Sequence, residues 1–214
     1  MKLMKSYVIA GLALTLVGNA LATTVTKTMT AAVNTNLGLR GASTWQPFPS
    51  TNSLLQCVDS NDGATSYAFN KPDEAGSFAA SGHSHYLDMT GFFTSSDIPS
   101  GATIDGVEVD MTRDRALVAN PSGALKGFKD QHVLLLNVSG AADKADTVND
   151  WPTSFAVKTY GGSADLWGTS ISQAQLVSSS FGVRLQVQSG QNSDNGDQMY
   201  QGQVTYVTVS VTYH

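Results

Sequence analysis

The sequence predicts an all-β protein, an antiparallel β-sandwich that follows a short N-terminal leader. Three observations carry this. Apolar and polar residues alternate with a period of two in segments spread from end to end, and the alternating residues are mostly Val, Thr, Ile, Phe and Tyr. These segments recur at spacings of roughly ten to fifteen residues, punctuated by Gly, Pro, Asn and Asp, as in sandwiches and barrels. Charged residues make up only 14% of the 214, while 24 Ser and 21 Thr take their place. Such a composition excludes a coiled coil or a long charged helix.

The leader comes first. Lys2 and Lys5 precede the uncharged, mostly apolar run Tyr7–Val17, and Ala20-Leu21-Ala22 supplies small residues for cleavage. This is the pattern of a secretory signal over residues 1–22. The apolar run is too short for a span of roughly 20 residues, so no stable membrane span is expected. The mature chain is then secreted, to the extracellular space, the cell surface or the periplasm. It forms one sandwich domain over residues 23–214.

The elements follow in order. Val25, Lys27, Met29 and Ala31 alternate with Thr24, Thr26, Thr28 and Thr30, which predicts a strand within residues 23–35. Short strands are expected at Leu54–Val58, Thr65–Phe69 and Tyr86–Phe93. Val107, Val109 and Met111 alternate with Glu108, Asp110 and Thr112; Ile104 is out of phase, which predicts a bulge near Gly106. Val133–Val138 is almost continuously apolar, as a strand covered on both faces is. Ser154–Tyr160 is a further strand, and Ser172–Val177 is the only helical stretch. Phe181–Gln188 and Val207–His214 alternate cleanly, and the polar Gln191–Asp197 between them reads as a long hairpin loop. Long early and late strands with large central loops make a jelly roll the preferred architecture.

Three stretches share a phrasing: Ile98-Pro99-Ser100-Gly101-Ala102-Thr103-Ile104-Asp105-Gly106-Val107, Tyr160-Gly161-Gly162-Ser163-Ala164-Asp165-Leu166-Trp167-Gly168 and Ser180-Phe181-Gly182-Val183-Arg184-Leu185. In this order they resemble loosely defined jelly-roll-like β-sandwich proteins of tailed phages and environmental bacteria. The resemblance implies a virion structural or surface-exposed component. The leader departs from phage proteins that assemble in the cytoplasm, and favours a bacterial surface or filament subunit.

The charge balance speaks against some partners. Twelve basic and 17 acidic residues give −5, and the basic residues do not cluster, so no nucleic-acid partner is expected. Cys57 is the single cysteine and lies in an apolar run. A buried inert thiol and an intermolecular disulfide are its two readings. Asn137-Val138-Ser139 is a glycosylation sequon, meaningful in a eukaryotic source.

Candidate chemistry is sparse. Asp59, Asn61 and Asp62 in one loop, and Asp194, Asn195 and Asp197 in another, offer hard oxygen ligands for Ca²⁺. Asx turns without an ion have the same look, and neither loop keeps EF-hand spacing. His83 and His85 share a face if their segment is a strand, and could hold a transition metal with a third ligand such as Asp88 or His132. The competing reading is an exposed loop. No Gly-x-Ser-x-Gly, His-Glu-x-x-His or phosphate loop occurs, and only Glu74 and Glu108 represent glutamate, so an enzyme is the weakest class.

Two functions compete. The first is a non-enzymatic structural protein that associates with copies of itself in a surface assembly, filament or virion. Its assembly device would be an N-terminal strand, with Val25, Met29 and Val33 on one face, exchanged into a neighbour's sheet. The same strand can instead form the domain's own edge. The second function, ranked below the first, is a carbohydrate-binding module whose aromatic platforms are Trp45, Trp151, Tyr160, Trp167 and Tyr200. Loop tryptophans are more often packing anchors, and Trp151 and Trp167 also read as tucking their loops onto the sandwich. Secreted material should begin at Thr23: intact-mass spectrometry finding Met1 in the exported protein would overturn the leader assignment.

Overall fold

A computed structural model describes residues 21–35, 44–60, 66–70, 83–117, 127–189 and 200–214. Two antiparallel sheets pack face to face, as expected of an all-β sandwich. The strands are β1 (Thr23–Lys27), β2 (Ala31–Thr35), β3 (Gln46–Phe48), β4 (Tyr67–Asn70), β5 (Tyr86–Thr90), β6 (Ile104–Leu117), β7 (Phe128–Leu136), β8 (Ala156–Gly161), β9 (Gly182–Ser189) and β10 (Tyr200–Tyr213). The short helices are α1 (Leu54–Val58) and α2 (Gln173–Leu176). One sheet runs β3-β4-β10-β6-β8, with β1 also on β10, and the other runs β2-β5-β9-β7. From β4 onward, successive strands alternate between the sheets, so chain neighbours face each other across the core.

β10 is the spine of the first sheet. Its whole length pairs with β6, from Tyr200↔Leu117 to Tyr213↔Ile104. Its other edge is shared end to end: β4 takes Gly202–Val204, and β1 takes Val209–Tyr213. The alternating valines Val207, Val209 and Val211 face Met111, Val109 and Val107, and all six are buried. The slip foreseen near Gly106 is present. Gly106 pairs with Thr212 and Ile104 with Tyr213, leaving Asp105 as the extra residue. Gly106 has no room for a side chain, because a Cβ would lie 2.4 Å from the Gly162 carbonyl oxygen.

Several local expectations are corrected. Leu54–Val58 is a helix, not a strand: Ser53 caps it, and Gln56 returns the bond in a capping box that offsets its apolar, strand-like composition. The N-terminal segment is two strands rather than one. The chain crosses from one sheet to the other at Thr28–Thr30, and β1 pairs with β10 while β2 pairs with β5, both within the same chain. β9 and β10 do not form a hairpin, since they belong to opposite sheets. Val133–Val138 is covered fully on one face only: Val133 and Leu135 are buried, while Leu134 and Leu136 are half-buried.

At one end of the core the sheets are tied by charge. Asp130 on β7 is fully buried and accepts four hydrogen bonds. Trp151 Nε1 donates to Oδ1 at 2.7 Å, and the Arg113 guanidinium of β6 donates to the same oxygen. Oδ2 takes the Tyr160 hydroxyl of β8 and the Asp146 amide, both at 2.9 Å. Arg113 also lies over the Trp151 ring, 4.5 Å from its centroid. Burial first, and the Asp130 charge second, hold the Tyr160 phenol far above its ordinary range. A bulge makes this arrangement. Gln131 is the extra residue between Asp130 and His132, so Asp130 points inward with Val187, and His132 points outward with Gln186.

Removing one partner strands the others. Asp130→Ala should lower stability by about 3–5 kcal/mol in urea unfolding, because it leaves a buried guanidinium uncompensated. Tyr160→Phe, which removes one donor, should cost only about 1 kcal/mol.

Candidate functional site

The expected aromatic platforms are not at the surface. Trp45, Trp151, Trp167 and Tyr160 are all buried in the core. Each polar tip has an internal acceptor: Trp45 Nε1 donates to the His85 carbonyl at 3.1 Å, Trp167 Nε1 to the Val107 carbonyl at 2.9 Å, and Trp151 and Tyr160 to Asp130. None of these four presents a ring face to a sugar, and they serve as packing anchors. Tyr200 opens β10, but its side chain lies outside the described residues.

The candidate metal residues fare differently. Asn61, Asp62, Asp194, Asn195 and Asp197 lie outside the described residues. Asp59 caps α1 and its backbone bridges to Tyr206. His83 pairs with Gln188 one residue out of the β5–β9 register, so a bulge interrupts the strand alternation that would place His83 and His85 on one face. Among the described residues no three His, Cys, Asp or Glu side chains converge on a point. Cys57 is a buried free thiol whose Sγ donates to the Phe48 carbonyl at 3.6 Å.

The outer face of the β2-β5-β9-β7 sheet carries a polar ladder that crosses its strands. Thr35 of β2 donates to Asp88 Oδ2 at 2.6 Å. Arg184 of β9 grips both Asp88 oxygens, with Nε and Nη2 at 2.7 and 2.6 Å. That carboxylate raises the Arg184 pKa, and the guanidinium lies 4.2 Å from the Tyr86 ring centroid. Tyr86 meets His132 edge to face at 6.5 Å, and His132 Nδ1 lies 2.5 Å from Asp143 Oδ2. Burial, and then the nearby His132, hold the His83 imidazole below its ordinary pKa. Bidentate and stacked geometry of this kind fixes the strands side by side. The ladder was hidden in the sequence, because its members lie on four different strands.

The lateral edges are the second feature. β7 overlies β6 and β8 through Asp130. β2 follows β1 directly, and its Asn34 exchanges two hydrogen bonds with the Trp45 backbone just ahead of β3. The sandwich therefore has one side edged by β7 and β8, and an opposite side edged by β1, β2 and β3. Downstream of position 22, the large apolar side chains described as exposed are Val33 (53%), Phe48 (43%), Val148 (76%) and Val157 (62%). Val33 and Phe48 stand on β2 and β3, at one side. Val157 stands on β8, and Val148 lies in the loop that Asp146 ties to Asp130 and Lys158, at the other.

The assembly residues expected from the sequence separate accordingly. Val25 packs against the core and Met29 is buried, both within the same chain. Val33 is exposed because the crossing at Thr28–Thr30 moves the chain into the second sheet, where Val33 pairs outward with Asp88. Among the described residues no helix is long and apolar enough to cross a membrane. Comparison with protein-family models and with curated proteins gives no match.

One acidic group stands apart. Asp114, on the outward face of β6, is 7% exposed, and burial pushes its pKa up to about 6. A raised carboxylate pKa means that the folded state takes up the proton first. This residue therefore weakens the fold as pH rises from about 4 to about 6, and the loss is complete above that window. Asp114→Asn should raise Tm at pH 7.5 by a few degrees and leave it unchanged at pH 3.5, as differential scanning calorimetry will show.

Proposed function

We propose that the protein is a secreted, non-enzymatic structural subunit that joins head to tail with copies of itself in an extracellular filament, surface layer or virion-like assembly. One observation carries the reading: exposed apolar side chains stand on both opposite lateral edges, Val33 at one and Val157 with Val148 at the other. Two unlike edges on one subunit make a heterologous contact, which repeats into a chain unless the rotation closes a ring. Strand edges supply the main-chain donors and acceptors for such a contact, and the exposed valines add apolar area. β3 is a poor edge for pairing because Pro47 lacks a donor, which directs the contact to β2 on its side.

Internal commitment of the charged groups supports the non-catalytic part. Asp130, Asp88 and Arg184, the acidic and basic groups most tightly held between strands, are spent on one another or on tryptophan and tyrosine. The alternation of β4 through β10 between sheets supports reading the sandwich as a jelly roll, with β1 and β2 added at its side. The leader, Met1–Ala22, supports export.

The contact predicts a specific mixing behaviour. Wild-type mature protein should form oligomers that grow with concentration in light scattering. Val33→Asp and Val157→Asp should each run as a monomer, and an equimolar mixture should stop at a dimer, because each variant keeps the edge the other has lost. Wild type that stays monomeric throughout removes the proposal, and a Val33→Asp variant that still dimerises alone replaces it with a symmetric contact.

A further inference from the structure

The outer face of the first sheet gathers aromatic rings around Asp114. Phe48 of β3 stacks on Tyr67 of β4 at 4.8 Å and 17°, and Tyr67 meets Phe69 edge-on at 6.2 Å. Phe155 comes from the opposite side of the sheet, just ahead of β8, yet its ring lies 6.2 Å from that of Tyr67. The two rings therefore meet across β10 and β6. Register places Gln203 and Asp114 between them: Phe69 pairs with Gln203, and Gln203 with Asp114. Continuing the β6–β8 ladder by one residue beyond Arg113↔Ala156 sets Phe155 beside Asp114.

Asp114 Oδ1 is buried and has no hydrogen-bond partner. Its neighbour Arg113 points the other way, into the core, where it is used by Asp130. A buried carboxylate with an oxygen left unpartnered, between an amide side chain and aromatic rings, is costly unless it is paired. Aromatic rings carry negative charge on their faces and attract cations there rather than anions. The net charge of −5 adds a long-range pull of the same sign. A neutral hydroxyl could bond to Oδ1 but would leave the charge uncompensated, whereas an ammonium N–H does both. We propose that this face binds an organic cation of the alkylammonium class, with Asp114 as the counter-ion and Tyr67, Phe69 and Phe155 as the aromatic walls. Phe155 precedes β8 rather than belonging to it, so its ring can turn aside without breaking a ladder bond. Burial raises the Asp114 pKa to about 6, which makes such binding pH-dependent.

The test uses the mature protein and butylammonium chloride, followed by calorimetry and by the NMR resonances of the Asp114 carboxyl and Tyr67 ring. Saturable binding is expected at pH 7.5, weakening about tenfold at pH 5 as Asp114 protonates. Asp114→Asn, which melts no lower than wild type, should weaken binding at least tenfold, and Phe155→Ala by several-fold. Butanol should not bind. Nα-acetyl-lysine methylamide separates the sources of the cation: equal affinity assigns a lysine side chain of another polypeptide, and much weaker binding assigns a free amine. No saturable shift, equal affinity in Asp114→Asn, or equal binding of butanol would each overturn the proposal.

Discussion

The Asp130 carboxylate is the constraint around which one end of the sandwich is organised. A fully buried carboxylate is tolerable only if both oxygens are occupied, and its donors must come from somewhere. Here they come from three places: Arg113 on β6, Tyr160 on β8, and Trp151 with the Asp146 amide in the long loop between β7 and β8. The same group thus sets the spacing of the two sheets, the path of the loop and the overlap of β7 with β8. Lys158 extends the network outward, and its bond is the first cause of the lowered pKa of Asp146. Without the Gln131 bulge, Asp130 and His132 would share a face, and either the network or the outer His132–Tyr86 contact would be lost.

Contrast between neighbours on β6 shows how much follows from strand alternation alone. Arg113 and Asp114 are adjacent, and both are largely buried. Arg113 faces inward and meets a carboxylate, while Asp114 faces outward beneath aromatic rings and meets none at Oδ1. Strand alternation therefore puts an ion-paired guanidinium on one side of the sheet and an unpaired carboxylate oxygen on the other, although Arg113 Nε also lacks a hydrogen-bond partner. The first contributes to the fold. The second costs stability as pH rises from about 4 to about 6, and the loss is complete above that window.

Much of the fold was legible because a period of two survives wherever one face is buried: β6, β9 and β10 follow their alternating valines and leucines closely. The two short helices share one motif, the capping boxes Ser53…Gln56 and Ser172…Gln175. Only the second was read as helical, because Leu54–Val58 is also apolar enough for a strand. β7 was entered too late, at Val133, since the polar run Lys129–His132 conceals its first half. That run contains the key carboxylate. Of the two readings of the tryptophans, packing anchors and sugar platforms, burial fits the first, because a Trp whose N–H finds an internal carbonyl or carboxylate is free to be buried. Site residues drawn from four strands of a sheet have no sequence spacing to betray them.

The N-terminal segment bears on the proposed contact between subunits. β1 closes the free edge of β10, and β2 closes that of β5, so a single stretch of chain finishes both sheets. The side chains follow: Thr24 and Thr26 bond to Thr212 and Ser210 across the ladder, while Val25 and Met29 turn inward. Exchange of this segment between subunits would rebuild the same bonds with a partner, and so gain nothing to offset the entropy of association. Edge-to-edge contact differs, because it adds strand pairing and apolar burial that the lone subunit lacks. Val33, unlike Val25 and Met29, stays exposed because the crossing at Thr28–Thr30 turns it outward, and it is the residue that the proposed contact would use.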